Sequence, residues 1–265
     1  MPSAMRASFH VPLAVGFALG LVAACCGTAR AADPVLEAPV AAPAEQPGMR
    51  RIFNGHDLAG WSGDERMWRV VDGRIRGETT ADVVAKGNTF LVWQEGRTKD
   101  FELRLSFRCS ADNNSGIQYR SRHVTEGTPS NPWVVRGYQH ELRNELTLPN
   151  VAGFIYDEGG KRGRVCLVGE RAEWVTEAEG IGAKRVQALL IDQEDFKKLF
   201  RLDAFNDVVI VARENRIRHW LNGRLILDFT DAPEIALRDG ILALQLHAGK
   251  PMWAEFADIR IRELD

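Results

Sequence analysis

The chain has 265 residues, of which 45% are hydrophobic and 26% are charged, and its formal net charge is −2. These are ordinary values for a globular protein and exclude a largely disordered chain. A near-neutral chain without a long run of Lys and Arg also argues against a nucleic-acid partner.

The first 31 residues have the features of an export signal. A basic start precedes the almost wholly apolar run 11–24, and residues 29–31, Ala-Arg-Ala, have the small-x-small form of a cleavage site. Residues 22–25, Val-Ala-Ala-Cys, offer an alternative, because a small apolar run that ends in cysteine is typical of a bacterial lipoprotein signal. Both interpretations predict export to the periplasm or cell envelope, and the second predicts a lipid anchor at Cys25 as the only membrane contact.

A single folded domain is predicted after a linker. Residues 32–49 are rich in alanine and proline, the composition of a semi-extended linker. Residues 50–265 are then expected to form one β-sandwich domain, with no second apolar segment of membrane-spanning length. Cys109 and Cys166 fall in this domain. The sequence leaves open whether they form a disulfide or are two buried small hydrophobic residues.

Short strands separated by turns follow one another through the domain. Asp72-Gly73 lies between two β-prone runs and predicts a type I′ hairpin, and Asn222-Gly223 gives a stronger signal of the same kind. Residues 101–108 alternate strictly between apolar and polar side chains, as a half-buried strand does. A helix is expected only at 193–202, with Asp192 as its N-cap. The pattern is typical of a sandwich or jelly roll.

Three of the predicted strands carry polar side chains at alternate positions. Because successive side chains of a strand point to opposite faces, the two polar residues of each strand share a face, and the residue between them enters the core. If the three faces belong to one concave surface, they present amides, a guanidinium, a carboxylate and an imidazole to a cleft suited to sugar hydroxyls. The three pairs are Gln118 and Arg120, Gln139 and Glu141, and Gln245 and His247.

A simpler interpretation stands beside this one. The exposed face of an antiparallel sheet is normally polar, so Arg120 and Glu141 would be no more than a cross-strand ion pair, which contributes little when it is exposed. For Gln118 the simpler interpretation is favoured. Trp93 and Trp133 are interpreted as surfaces on which a sugar ring stacks, whereas Trp61, Trp68 and Trp220 are interpreted as packing residues.

No metal motif, Ser-His-Asp elbow or phosphate-binding loop is present in the sequence. His247 and Glu141 are the one pair that could share a divalent cation, and no other cofactor is expected. His140 alternates with two polar residues and is predicted to lie in the core. His219, beside a tryptophan, is predicted to lie on the surface of its hairpin.

A series of short motifs runs through the domain in a specific order. They occupy residues 52–61, 68–73, 101–103, 114–121, 137–142, 220–223 and 244–261. In this order they resemble the 3-keto-disaccharide hydrolase domain family over nearly the whole predicted mature chain. Two positions depart from the common pattern. Gln139 and Glu141 stand where Glu and Gln are more usual, and Phe205-Asn206 replaces Trp-Asn.

The resemblance implies a concanavalin-like jelly-roll β-sandwich of two antiparallel sheets, one of them concave, with a carbohydrate ligand. It also implies cleavage of 3-keto-glycosides. A sugar oxidised at C3 has an acidic proton at C2, so cleavage can begin with the loss of this proton. Glu141 or His247 would remove this proton, and Arg120 or a divalent cation would stabilise the enolate. An acid would then protonate the leaving oxygen, which gives elimination followed by hydration.

Three alternatives remain at the level of sequence. The ordinary glycosidase route needs two carboxyl groups that flank the scissile bond, and the sequence places only Glu141 with confidence, which favours elimination. The second alternative is a non-catalytic carbohydrate-binding module at the cell envelope, which would use the same concave face. The third and weakest is a scaffold module, for which substitutions of Glu141 and His247 would have no effect in a sugar assay.

Overall fold

The computed structural model describes residues 33–124, 131–176, 180 and 182–265. The segment predicted as a signal, 1–31, and Cys25 within it lie outside these ranges, so export and lipidation stay predictions from the sequence. Among the described residues, no helix combines the length and the apolar character needed to cross a membrane.

Strands dominate the described part of the chain, and the only helix there is short. Its N-cap is Asp192, as predicted, and the Asp192 side chain accepts a hydrogen bond from the Asp195 amide. The elements are β1 Arg50–Arg51, β2 Trp61–Ser62, β3 Trp68–Val71, β4 Arg74–Glu78, β5 Thr89–Trp93, β6 Phe101–Cys109, β7 Ser115–Val124, β8 Val134–Leu142, β9 Ile155–Glu158, β10 Arg164–Cys166, β11 Glu170–Val175, β12 Ala183–Leu189, α1 Gln193–Leu199, β13 Asn206–Arg213, β14 Arg216–Leu221, β15 Arg224–Thr230, β16 Ile241–Leu246 and β17 Trp253–Glu263.

The strands form two sheets. The larger sheet has ten strands in the order β12-β11-β15-β14-β13-β6-β17-β4-β3, with β1 paired to β17. The smaller sheet has seven strands in the order β10-β9-β8-β7-β16-β5-β2. The strand pairs are antiparallel except β11 with β15, which run parallel. The prediction of an all-β sandwich of two sheets with little helix is therefore confirmed.

The predicted hairpins form because their turn residues adopt positive φ. Asp72 and Gly73 have φ of 50° and 73°, and Asn222 and Gly223 have φ of 46° and 86°. Positive φ at both central residues is the geometry of the type I′ turn, which matches the right-handed twist of the flanking strands. These turns join β3 to β4 and β14 to β15.

The main core lies between the two sheets and is built from the inward-facing residues of both. Phe101, Leu103, Leu105 and Phe107 of β6 belong to the same buried cluster as the three leucines of β16. Strict alternation along these strands places apolar side chains on one face and leaves the other face for polar ones. Cys109 and Cys166 are both buried and free, which decides between the two alternatives that the sequence left open.

A pair of histidines is part of this core. His140 is fully buried, as predicted, but the prediction of a surface position for His219 was wrong. The two imidazole centroids are 4.4 Å apart, and the Tyr119 hydroxyl lies 2.9 Å from Nε2 of His219. His219 shares the inner face of β14 with Ile217 and Leu221. Burial lowers the pKa of His219 to about 4, so the imidazole is neutral at neutral pH.

Residues 34–46, which we call the strap, lie against the larger sheet. The sequence predicted a semi-extended linker, and the strap is held to the domain by bridges from Leu36 to Leu189 and from Ala41 to Arg224. Ala42 packs against a second apolar cluster. This cluster comprises Leu190, Val209, Val211, Trp220 and Leu225. The compact unit accordingly begins at Pro34, before the predicted boundary at residue 50.

Substitution of Ala42 by Asp is expected to lower the free energy of unfolding by about 1–2 kcal/mol, because it places a charge on the apolar cluster beneath the strap. Ala44→Asp is the matched control, because Ala44 is exposed and two residues away on the same segment. Its effect should stay within about 0.5 kcal/mol. Urea denaturation measures both values. Equal free energies of unfolding for the two variants would show that Ala42 does not stabilise the protein by packing on the apolar cluster.

Candidate functional site

A polar cavity of about 490 Å³ lies on the outer face of the smaller sheet, a volume within the usual range for ligand sites. Strand β8 contributes Gln139 and Glu141, β9 contributes Tyr156 and Glu158, and His247 follows the end of β16. We call this space the polar cavity. The remaining residues on its wall are Asn88, Asn114, Arg143, Phe154, Gly159 and Arg164.

Three of the eight predicted site residues line the polar cavity directly, namely Gln139, Glu141 and His247. Two more lie immediately behind its wall. Gln118 donates a hydrogen bond to Gln139, and Gln245 donates one to Glu158. The alternation of the three strands therefore brings five of the predicted polar side chains together.

Two of the glutamines, Gln118 and Gln139, form a continuous hydrogen-bonded chain that ends at Glu141. The Ser121 hydroxyl donates to Oε1 of Gln118 at 2.8 Å, and Nε2 of Gln118 donates to Oε1 of Gln139 at 2.6 Å. Nε2 of Gln139 then donates to Oε2 of Glu141 at 2.8 Å. Every donor in this amide chain points toward the carboxyl group, so the amide dipoles fix its orientation and favour its charged form.

The protonation of Glu141 is set by opposing effects. Burial disfavours the charged form and is the largest influence, and it raises the pKa of Glu141 to about 7. The charge of Arg143, whose Nε donates to Oε1 at 2.8 Å, and the hydrogen bond from Gln139 both lower this pKa. The nearby Glu158 raises it further. A carboxyl group with a pKa near the working pH can both accept and donate a proton, as general acid–base catalysis requires.

His247 presents a free nitrogen at the polar cavity. Its Nδ1 lies 2.7 Å from the Ala248 carbonyl oxygen. A carbonyl can only accept a hydrogen bond, so Nδ1 carries the hydrogen, and Nε2 of the neutral ring keeps its lone pair. None of the described residues is hydrogen-bonded to Nε2. The imidazole is therefore arranged to accept a proton from a ligand.

Glu158 is a second carboxylate on the cavity wall and was missed in the sequence. It accepts hydrogen bonds from Nδ2 of Asn88 at 3.0 Å and from Nε2 of Gln245 at 3.2 Å. Strand β9 has only four residues and lies outside the family motifs, so its alternation was too short to indicate a face. Two cations, Arg143 and Arg164, also line the polar cavity and were not predicted.

Arg120 lies away from the polar cavity, and the expectation for this residue was wrong. The pairing of β7 with β8 shifts register between Tyr119 and Arg122, and Arg120 has a φ of 48°. This bulge turns the side chain out of the alternation. The buried guanidinium pairs with Asp100 at 2.9 Å. It also donates to the carbonyl oxygens of Lys99, Glu214 and Leu237.

The two tryptophans also lie elsewhere. Trp93 is a buried residue of the main core, and its ring lies so close to Gly96 that a Cβ there would come within 2.3 Å. The prediction that Trp93 stacks on a sugar was therefore wrong, because its ring is enclosed by the core. Trp133 is outside the polar cavity and lines a second one.

Within the described ranges, no three side chains of His, Cys, Asp or Glu are grouped as metal ligands would be. The sequence hypothesis that Glu141 and His247 share a divalent cation stays a prediction.

The structure defines the class of fold, an almost entirely antiparallel β-sandwich of two sheets with a polar cavity on the outer face of the smaller one. Residues 48–262 match the model of the 3-keto-alpha-glucoside-1,2-lyase-like domain. The match covers most of the chain, so the protein belongs to this family. The resemblance inferred from the motifs is thereby confirmed.

Solved structures with the same fold include a Parabacteroides distasonis protein named as a candidate glycosyl hydrolase. The TM-score is 0.50 at 20% identity, over 82% of this chain and 94% of that one. A second such protein from that organism has a TM-score of 0.47 at 15% identity, over 94% and 100%. The carbohydrate binding module CBM66 from Bacillus subtilis gives 0.46 at 13% identity, over 77% and 96%. Comparison with curated protein sequences gives no match.

The raised pKa of Glu141 predicts how stability depends on pH. The folded protein holds this proton more tightly than the unfolded chain, so its stabilising effect is complete below about pH 4.5 and is lost as pH rises through about 7. Glu141→Gln keeps a neutral side chain at all pH values. The stability of the variant relative to the native protein should therefore rise between pH 4.5 and 7, by about 3 kcal/mol at most, and then level off.

Urea denaturation at pH 5, 6, 7 and 8 measures this difference. Glu145→Gln is the matched control, because Glu145 is a more exposed partner of the same arginine. Its stability difference should not change with pH in the same window. If the stability difference between Glu141→Gln and the native protein also stays constant with pH, the raised pKa of Glu141 is contradicted.

Proposed function

We propose that the protein cleaves glycosides whose sugar carries a ketone at C3, by elimination across C1 and C2. The observation that carries this proposal is a buried carboxyl group with a pKa of about 7 and a histidine with a free Nε2 in one polar cavity. Membership of the family supports the substrate class. A proton donor and a proton acceptor are the two groups that such an elimination requires.

The reaction begins with loss of the C2 proton, which is acidic because C2 is adjacent to the C3 ketone. Nε2 of His247 takes the proton, and the C2–H electron pair moves to form an enolate with its charge on the C3 oxygen. The enolate then expels the oxygen at C1, and Glu141 gives this oxygen a proton. The products are a keto sugar with a C1=C2 double bond and a free alcohol. Addition of water across the double bond completes the hydrolysis.

The proposal assigns two roles that the sequence left open. The sequence offered Glu141 and His247 as alternative bases, and the hydrogen bond from Nδ1 of His247 to Ala248 favours His247. The sequence assigned enolate stabilisation to Arg120 or a divalent cation, and Arg120 lies away from the polar cavity. Arg143 and Arg164 line it and take this role in the proposal, since a fixed positive charge lowers the energy of a developing oxyanion.

Incubation with methyl 3-keto-glucoside and with unoxidised methyl glucoside, each as the α and the β anomer, tests the reaction class. Cleavage of a keto-glycoside alone is expected, because only the ketone acidifies the C2 proton. In D₂O the recovered keto sugar should carry deuterium at C2. Cleavage of the unoxidised glycoside would indicate an ordinary glycosidase. Binding of the sugars with cleavage of none would indicate a carbohydrate-binding module.

The separate roles of the two residues predict different responses to the leaving group. Glu141→Gln should lower kcat for a methyl keto-glycoside by about 10²–10⁴-fold, because methoxide needs a proton to leave. The same variant should retain most of its activity on a 4-nitrophenyl keto-glycoside, because nitrophenolate leaves without one. His247→Asn should lose activity on both, because both need a base. Equal losses for Glu141→Gln on the two substrates would contradict its role as the acid.

A further inference from the structure

A groove with several arginines lies on the outer face of the larger sheet, so it is on the other side of the sandwich from the polar cavity. Its volume is about 330 Å³. Ala212 and Ile217 enter the main core, so the side chains beside them on β13 and β14 face outward. We call this space the arginine groove. Arg213 of β13, Arg216 and Arg218 of β14 and Thr230 of β15 line it.

Arg218 has no anionic partner in the described part of the chain. Asp228 is its cross-strand neighbour on β15, but both oxygens of that carboxylate are already bonded. Oδ1 accepts from Nε of Arg216 at 2.8 Å, and Oδ2 accepts from Nη2 of Arg216 at 2.7 Å and from Nε of Arg171 at 3.1 Å. The guanidinium carbon of Arg218 instead lies 5.2 Å from the centroid of the Trp220 ring. The N–H donors of Arg218 are therefore available to a ligand.

Positive charge is in excess around Arg218. Arg213 is exposed, and it too forms no ion pair with a described residue. Burial lowers the pKa of Arg218, and the charges of Arg216 and Arg213 lower it further, while the charge of Asp228 acts in the opposite direction. An anion bound in the groove would relieve the repulsion among the arginines. A guanidinium bonds a carboxylate through two parallel N–H groups, which makes a carboxylate a well-matched anion.

The arginine groove also offers hydrogen-bond acceptors, which a simple inorganic anion cannot use. Nδ2 of Asn215 donates to the Asp231 carbonyl at 2.6 Å, and this leaves Oδ1 of Asn215 as an acceptor on the groove wall. The carboxylate of Glu214 lines the groove as well and would oppose a free anion. The Thr230 hydroxyl, which is not hydrogen-bonded to a described residue, can donate or accept. The ligand that fits has hydroxyl groups in addition to its negative charge.

We propose that the arginine groove is a second ligand site, which binds the carboxylate and the hydroxyl groups of an acidic sugar such as a hexuronate. The carboxylate bonds Arg218, and the sugar hydroxyls bond Asn215 and Thr230. The site does not depend on the proposed reaction, because it lies on the outer face of the other sheet. An acidic carbohydrate chain bound there leaves the polar cavity open to its own substrate.

The probes are methyl β-glucuronide, methyl β-glucoside, which lacks the carboxylate, and inorganic phosphate. Each is titrated into the ¹⁵N-labelled full chain, and the arginine Nε–H signals are followed by NMR. The glucuronide should bind roughly 10-fold or more tightly than the glucoside, because only its carboxylate forms charged hydrogen bonds with Arg218. Arg218→Gln should remove this advantage. Arg218→Lys should lie between the two, because it keeps the charge but loses the planar fork.

Arg185→Gln is the matched control. Arg185 is an exposed arginine on β12, so this variant changes the net charge by the same amount as Arg218→Gln but leaves the groove intact. It should bind the glucuronide like the native protein. Arg213→Gln gives a second test at an exposed position, where the substitution should not affect folding, and it should weaken glucuronide binding by roughly 2- to 5-fold.

Several results would overturn the proposal. Equal affinities for glucuronide and glucoside would show that the carboxylate is not recognised, and equal effects of Arg218→Gln and Arg185→Gln would show attraction by net charge alone. Phosphate that binds as tightly as the glucuronide and is weakened equally by Arg218→Gln would indicate a site for an adventitious ion only.

The proposed reaction is tested separately on the same variants. Arg218→Gln should cleave methyl 3-keto-glucoside at the native rate, since the arginine groove is remote from Glu141 and His247. A protein that binds the glucuronide through Arg218 but cleaves no keto-glycoside would refute only the proposed function. A protein that cleaves keto-glycosides but fails to distinguish glucuronide from glucoside would refute only the second site.

Discussion

Burial of the Glu141 carboxyl group is the constraint on which the candidate site depends. A carboxylate removed from water is costly unless hydrogen bonds and an opposite charge compensate it. Gln139 and Arg143 each donate one bond to it, and Gln118 and Ser121 hold Gln139 in place. The compensation is incomplete, so the pKa of Glu141 stays near 7 and the group exchanges its proton at neutral pH. Complete compensation would have left an inert ion pair.

The sheet architecture stabilises this arrangement because one face of each strand packs in the core and the other face carries the polar side chains. On β8 the inward residues Tyr138, His140 and Leu142 enter the core, while Gln139 and Glu141 form the wall of the polar cavity. The close-packed core behind the strand fixes its backbone, so the polar side chains keep their positions. The larger sheet supplies that core with its inner face and carries the strap on its outer face.

Much of this could be predicted from alternation and turn chemistry. The dipeptides Asp72-Gly73 and Asn222-Gly223 predicted the hairpins. The alternation of side chains along each strand predicted that Glu141 and His247 lie on the same side of the sheet. The prediction for Arg120 failed because a bulge changes which face a residue occupies, and nothing local to the sequence marks a register shift set by the partner strand.

Other features depend on contacts between distant segments and for that reason lie beyond local sequence patterns. Glu158 reaches the polar cavity because β9 pairs with β8, and a four-residue strand carries too few positions to show its face. The strap is rich in alanine and proline, as linkers are, and it is ordered because it covers an apolar cluster on β13 to β15. His219 lies in the core because it shares the inner face of β14 with Ile217 and Leu221. This face packs against Tyr119 and His140 of the smaller sheet.

The second carboxylate changes how the reaction class is decided. With Glu141 alone, the absence of a partner favoured elimination over the ordinary two-carboxylate route. With Glu158 on the same wall, that distinction no longer rests on counting carboxyl groups. In the proposed reaction it rests on His247 instead, because an imidazole with a free Nε2 can take the C2 proton, whereas the ordinary route uses the second carboxyl group as a nucleophile or as a base toward water. Glu158 is occupied by the amides of Asn88 and Gln245, which suits it to orient a ligand beside the reacting groups.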